Sequence, residues 1–509
     1  MKKYLFALSL VAFCFAVGFS QKEDLSPCGS LPFKSDWLKE YQKDPSQFET
    51  RSGTVMYVPM TVHVLAGGVT DEFIFDNLCQ LNTDFQNTDI QFYLNYPIRR
   101  VSNGAYNNHE ELELGYNMMV EYNVENTVNT YVVDNPAGNC GYNLPYSGIA
   151  MNKTCMGVGD HTWAHEVGHN LSIQHPFLGW EGGVSHDGSV SHNFGNNAPD
   201  FVTYNYTDFK LVPYFDIDTL IIDTSFVERA DGSNCQFAGD GFCDTAPDYI
   251  ANRWECNQDG ESNLIFTDPD GVKLQADATL IMSYANDNCS ARFTEEQAAA
   301  MRANLIDVKG DYLDPNYMAE PMLDPEVVLN YPIDDEIVPF QSLELDWEDI
   351  PNADFYKVEV FSTNEVFPGM QFPWGSFSTQ ESEITLPALE VGILYFWTVT
   401  PFEDFSFCNE NVTATGSFIS SDVSSLNELS STQVKLFPNV LAQGTDIQIE
   451  LEKQQEISLN IRTMDGKQVH FYSGNDLKIS VSTQGWATGI YLAQIQLGTG
   501  RAVRKIIIH

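Results

Sequence analysis

The run His161-Thr-Trp-Ala-His165-Glu166-Val-Gly-His169-Asn-Leu-Ser172-Ile-Gln-His175-Pro176 constrains this chain more than any other stretch. On an α-helix, His165 and His169 stand one turn apart and project from the same face. Two imidazoles at that spacing can share one Zn²⁺, and Glu166 beside them can act as general base toward a water at the metal. His175 lies too far along for a continuing helix to bring it back to that face. The chain must therefore leave the helix and turn, and Pro176 biases His175 toward extended geometry. By composition alone, a bare His-Glu-x-x-His arises in about one such chain in a hundred, and a third His at this offset is rarer by roughly fiftyfold. A solvated helix with incidental histidines is the weaker reading.

Two later stretches belong with this run. One is Leu280-Ile-Met282-Ser-Tyr284, continuing into Asn286-Asp-Asn-Cys289-Ser-Ala-Arg-Phe293-Thr-Glu-Glu-Gln297. The other is Gly239-Asp240-Gly-Phe-Cys243-Asp244-Thr245-Ala-Pro247. Together the three resemble the pappalysin (cytophagalysin) branch of the metzincin metalloproteases, whose motif is H-E-x-x-H-x-x-G-x-x-H with a later Met-turn. The resemblance spans roughly residues 55–310 and implies an α+β catalytic domain: a twisted mixed sheet, a backing helix and a zinc helix. It also implies one catalytic Zn²⁺ on His165, His169 and His175, with Glu166 as base. Met282 is then expected beneath the metal, and Tyr284 beside the tetrahedral intermediate, although a Met-x-Tyr is elsewhere plain core. One departure is Ser172, where the family has glycine. A left-handed backbone there costs a non-glycine residue on the order of 1 kcal/mol, and no ligand is lost. The resemblance further points to Ca²⁺ at Asp240, Asp244 and Thr245, since oxygen donors on a tight Gly-rich loop suit that ion without requiring it.

A net charge of −44 and a pI near 4.3 set the surface against nucleic acid and anionic membranes. Lys2 and Lys3 precede an apolar run from Tyr4 to Phe19, and a polar stretch follows. This is expected to be a signal peptide over 1–20, too short for a membrane anchor. Cys14 follows Phe13 rather than a small residue, which argues against a lipoprotein anchor.

Of the 10 cysteines, Cys14 leaves with that peptide, so an odd number remains. Export favours disulfides. The resemblance implies Cys256 with Cys289. Cys235 with Cys243 would close the Gly-Asp loop, and Cys140 with Cys155 would brace the segment before the helix. Connectivity cannot be fixed from sequence. Cys79, in an apolar helical pattern, reads as a buried thiol. Cys28-Gly29 lies in an expected pro-segment, 21–51. In several metzincins such a thiolate sits on the catalytic zinc as a latency switch, and Arg51-Ser52 is the candidate activation cut. A pairing of Cys28 with Cys79, or a free tail thiol, stays open.

From Val55 to Leu65 the alternation is strand-like, and Ile90–Leu94 is a further strand. Gly148–Met151 is expected to be the sheet edge that pairs with extended substrate. Phe293 to Leu305 reads as a closing helix with Thr294 as its N-cap. The catalytic domain is placed at 52–320.

Residues 321–419 hold short β runs such as Leu343–Trp347, Phe355–Phe361 and Tyr395–Thr400. They resemble a fibronectin type III sandwich with Trp347 and Trp397 in its core. A Ser-rich linker, 420–433, follows. The last stretch, 434–509, carries Leu436-Phe-Pro-Asn439, Ile457–Ile461, Asp465-Gly-Lys467, Gly489-Ile-Tyr491 and Arg504–Ile508. In that order these resemble the C-terminal sorting domain of the Bacteroidetes type IX secretion system. The expected protein is a zinc metalloendopeptidase, secreted or held at the cell surface. Its expected partners are protein or peptide substrates and the type IX machinery, with neither nucleic acid nor a transmembrane anchor. The alternative is a weak or inactive binding protein on the same scaffold.

Overall fold

Strand Met56–Val64 is buried along almost its whole length, which requires neighbours on both edges and cover on both faces. It pairs in parallel with Ile90–Leu94 on one side and Val128–Val133 on the other. Arg99–Arg100 extends the first of these pairings. Val128–Val133 pairs in parallel with Gly148–Asn152, which in turn pairs antiparallel with Gly141–Leu144. The sheet is therefore mixed and six-stranded. The computed structural model describes residues 25–145, 147–180, 196–205, 222–289, 292–322, 326–364, 367–408, 414–421, 427–428, 434–463, 467–497 and 500–509. The signal peptide, most of the Ser-rich linker and Asp465-Gly466 lie outside the described residues.

Helix Asp71–Asp84 backs the sheet. Thr70 caps it, its side chain accepting from the Phe73 amide, and Ile74, Phe75, Leu78 and Leu81 enter the main core. Helix Thr162–Asn170 is buried throughout, and the Trp163 indole donates to Thr130 Oγ1 on the sheet at 3.1 Å. Helix Glu295–Asp307 opens with a reciprocal capping box between Thr294 and Gln297, as its sequence predicts. Upstream, helix Asp36–Lys43 sends Leu38 and Tyr41 into the same core, so the segment ahead of the first strand is docked on the mixed-sheet core.

Two expectations fail here. Gly148–Asn152 is an interior strand, and the edge is Gly141–Leu144. A five-residue strand between short turns has no local mark of edge or interior, because partners far along the chain decide it. Cys79 is also not a thiol: it is bonded to Cys408, 329 residues away. The reason lies in how the chain divides. One compact unit comprises Met1–Pro325 together with Pro351–Lys357 and Pro401–Asn411; the other comprises Glu326–Ile350, Val358–Thr400 and Val412–His509. The first unit thus takes in two segments that sequence composition assigns to the following β region. Phe355, Phe402 and Phe407 stack around Phe75 of the backing helix, next to that disulfide.

The second unit is all β. A three-stranded sheet holds Leu329–Tyr331, Glu344–Trp347 and Glu383–Thr385. A five-stranded sheet includes Glu336–Pro339, Ala414–Ser421 and Leu394–Phe402. Buried Trp347 and Trp397, one from each sheet, meet with ring centres 6.2 Å apart. The terminal module has its own six- and three-stranded sheets around Ile449, Leu459, Ile461, Tyr491 and Ile506.

Candidate metal centre

The helix that carries the first two histidines ends at Asn170, and Ser172 takes the left-handed conformation (φ 71°) that the missing glycine would have taken freely. Its hydroxyl accepts from Asn304 Nδ2 at 3.1 Å on the closing helix, which helps hold that turn. The Ile173 amide bonds back to the Gly168 carbonyl at 2.9 Å, and the chain returns with His175 beside the other two rings. The three Nε2 atoms are separated by 3.1 Å (165–175), 3.2 Å (165–169) and 3.0 Å (169–175).

Tautomers decide what this cluster is. His165 Nδ1 lies 2.8 Å from the Ile281 carbonyl, and His169 Nδ1 lies 2.8 Å from the Ile173 carbonyl. A carbonyl only accepts, so both Nδ1 atoms carry hydrogen and both Nε2 atoms are lone pairs. Two lone pairs facing each other at 3.2 Å repel and cannot share a hydrogen bond. A cation between them removes the conflict. Around Zn²⁺ at about 2.05 Å, tetrahedral nitrogen ligands stand about 3.3 Å apart, close to the spacings here. Burial, reinforced by the neighbouring histidines, holds His169 and His175 well below the usual imidazole range, and burial brings His165 down to about 4. All three are neutral, the form that binds metal.

The fourth donor is Cys28, buried and the one free cysteine among the described residues. Its Sγ is 3.5 Å from His169 Nε2, and one donor atom from each of the four residues falls within 4.8 Å of the others. Burial and then the Glu166 carboxylate raise this thiol well above its ordinary value when no metal is bound. Cys28 therefore pairs neither with Cys79 nor with solvent.

Glu166 is fully buried, and burial lifts its carboxyl to about 7. Its Oε2 accepts from Ser30 Oγ at 2.8 Å, while Oε1 is a buried oxygen with no hydrogen-bond partner among the described residues. Ser30 Oγ in turn accepts from the Asn143 amide at 2.8 Å on the edge strand. Around it, residues 26–29 run along residues 138–141, which lead into the edge strand: Cys140 N bonds to Ser26 O and Gly29 N to Gly141 O, both at 2.8 Å. Sequence reasoning missed Ser30, whose only signal is its place two residues after Cys28.

Met282 is fully buried, and a Cβ on Gly168 would meet its sulfur at 2.6 Å, so the helix needs glycine there. Tyr284 packs its ring 4.9 Å from His175 and 5.8 Å from His165. A cleft beside these rings is lined by Pro27, His161, Arg253, Ser283 and Asp287. Cys140–Cys155, Cys235–Cys243 and Cys256–Cys289 are all bonded. On the Gly-Asp loop, Thr245 Oγ1 donates to buried Asp240 Oδ1 at 2.9 Å. Asp244 Oδ2 accepts the Glu296 amide at 2.8 Å, where a carboxylate favours a helix start. Glu228, unmarked in the sequence, is buried, and burial with the Asp240 charge pushes its carboxyl up to about 9.

Residues 435–509 match the family model described as a secretion system C-terminal sorting domain. The chain ends in a type IX sorting domain. A protein with this sorting domain is secreted or displayed at the cell surface, and among the described residues no helix is long and apolar enough to cross a membrane. No curated protein matches the chain. Among solved structures, similarity is found to a Dscam isoform (11% identity, 36% of this chain and 45% of that one, TM-score 0.14). The fibronectin(III)-like modules of Clostridium thermocellum CbhA are also similar (10% identity, 36% and 92%, TM-score 0.17). So is PorZ, a surface component of the type IX secretion system of Porphyromonas gingivalis (13% identity, 22% and 15%, TM-score 0.14). The chain spans less than half of the Dscam structure, and at these scores the likeness carries neither fold nor activity.

Proposed function

We propose that the chain is a secreted zinc-dependent endopeptidase of the pappalysin type, held latent by its own N-terminal segment. The observation that carries this reading is the pair of facing Nε2 lone pairs on His165 and His169, with His175 and Cys28 Sγ completing a four-donor set. His165, His169 and His175 would hold Zn²⁺, which supplies Lewis-acid polarisation of the scissile carbonyl and makes water a competent nucleophile near neutral pH. Glu166 takes the proton of the attacking water and passes it to the leaving amine as the C–N bond breaks, giving a carboxylate and an amine. Tyr284 donates to the developing oxyanion. The backbone of residues 138–141, leading into the edge strand, offers an extended substrate the positions that residues 26–29 now take. Asp240 and Thr245, with Glu228 nearby, supply oxygen donors for Ca²⁺, whose charge would relieve the repulsion between the two carboxylates.

The test is metal analysis of the purified protein alongside casein and gelatin digestion before and after removal of the N-terminal segment. One zinc per chain and cleavage abolished by chelator are expected. A metal-free protein without activity would leave the scaffold a binding protein, the reading against which intact ligands and an intact Glu166 already argue.

The terminal module yields a separate prediction. Residues from about 434 onward are proposed to direct passage across the outer membrane and then to be removed. Deleting 434–509 is expected to strand the protein in the periplasm of its native host, as read by fractionation and immunoblotting. Extracellular release of the truncated form at normal levels would refute it.

A further inference from the structure

We infer that Asp248 is a positioning residue for the proposed hydrolysis, its buried carboxylate anchoring Ser283 and so holding the 281–284 turn against the histidines. The inference rests on the protease reading above. Four consecutive residues of that turn each make a contact that places it against the histidines or fixes it to the scaffold. The Ile281 carbonyl takes the His165 Nδ1 hydrogen at 2.8 Å. Met282 fills the space against Gly168. Tyr284 lays its ring on His175. Ser283, between them, donates its hydroxyl to Asp248 Oδ2 at 2.6 Å.

Backbone bonds tie the turn as well, the Ile281 amide to the Arg292 carbonyl at 3.0 Å among them. The Ser283 amide closes the turn on the Leu280 carbonyl at 3.0 Å, and the Tyr284 carbonyl accepts from Trp254 N at 3.3 Å, a long bond. The side-chain tie to Asp248 is the short one, in the range of charge-assisted O–H···O⁻ contacts. Asp248 is itself fixed: it is 2% exposed, and its Oδ1 accepts the Ile250 amide at 2.9 Å. Burial pushes its carboxyl up to about 7. A carboxylate kept in such a place is costly unless its hydrogen bonds are used. The bond to Ser283 sets how far the turn stands from the zinc ligands, and hence where the Tyr284 hydroxyl reaches. A misplacement of about 1 Å at such a group can cost up to about a hundredfold in rate.

The test is a pair of double-mutant cycles on the activated, zinc-loaded enzyme. Ser283→Ala, a one-atom deletion, is expected to lower kcat on the order of tenfold, with KM and zinc content unchanged. In a Tyr284→Phe background the same substitution is expected to change kcat by about twofold or less, because the hydroxyl it positions is gone. Asp248→Ala added to Ser283→Ala is expected to bring no further loss, and Asp248→Asn, which keeps a hydrogen-bonding partner, to retain most of the activity. Equal losses in both Tyr284 backgrounds would mean a general structural role and overturn the proposal, as would an unchanged kcat in Ser283→Ala. Should Asp248→Ala not fold, the Ser283 and Tyr284 cycle decides alone. A wild-type enzyme that binds zinc yet cleaves no peptide would instead bring down the protease reading, and this proposal with it.

Discussion

Replacing Glu166 by Gln is expected to leave bound zinc in place and to reduce peptide cleavage by at least ~10²–10⁴-fold, the usual worth of a positioned general base. The amide has nearly the shape of the carboxylate, and Glu166 is not among the four donors that converge. Metal content should therefore match the wild type. What the amide lacks is the ability to accept the water's proton, and that step precedes every productive C–N cleavage. The contrast is with His165→Ala, which removes a donor and the Nδ1 tie to Ile281 together, and so should lose the metal as well as activity. Zinc analysis beside a kcat measurement on both variants, with contaminating protease excluded, separates the two roles. Comparable turnover by Glu166→Gln would end the mechanism.

The features legible in the sequence are those set by short-range geometry. The spacing of His165 and His169 needs only one helical turn, and the reversal to His175 needs only a left-handed residue, which Ser172 supplies at φ 71°. The capping box at Thr294 and Gln297 is likewise local, and the disulfides Cys140–Cys155 and Cys235–Cys243 close short loops, whereas Cys256–Cys289 is expected only from the family resemblance. What escaped is set by distant partners. Cys79 reads as a buried thiol because its helix is apolar, and nothing nearby announces Cys408. Gly148–Asn152 and Gly141–Leu144 are similar short strands, and only their neighbours make one interior and one edge. Glu228 and Asp248 carry no motif of their own. Their burial follows from packing, and a single charged residue in a sequence reads first as surface.

If the chain is the latent protease proposed above, Cys28→Ala is expected to abolish the lag that its intact pro-form would show before activity. On the proposed reading, the wild-type N-terminal segment would block the site in three ways. Its backbone lies along residues 138–141, which lead into the edge strand, its Ser30 hydroxyl holds Glu166 Oε2 at 2.8 Å, and its Cys28 Sγ stands where a fourth zinc ligand belongs. The sulfur is the strongest of these, because a thiolate outcompetes water for zinc, whereas the Ser30 bond to a charged acceptor is worth about 1.5–3 kcal/mol. Losing the sulfur frees the coordination position and loosens the whole strand. Ser30→Ala leaves the sulfur in place, so it should stay latent with a shortened lag. Full release in the wild type then needs a cut, and Arg51-Ser52 lies in an exposed turn, although Arg302 donates to the carbonyls of Thr50, Arg51 and Thr54 and must let go of that turn first. The measurement is the progress curve of peptide cleavage for wild type, Cys28→Ala and Ser30→Ala at matched concentration. Equal lags in wild type and Cys28→Ala would rule out the switch. Immediate activity in Cys28→Ala, with Ser30→Ala between the two, would place the sulfur first among the three blocks.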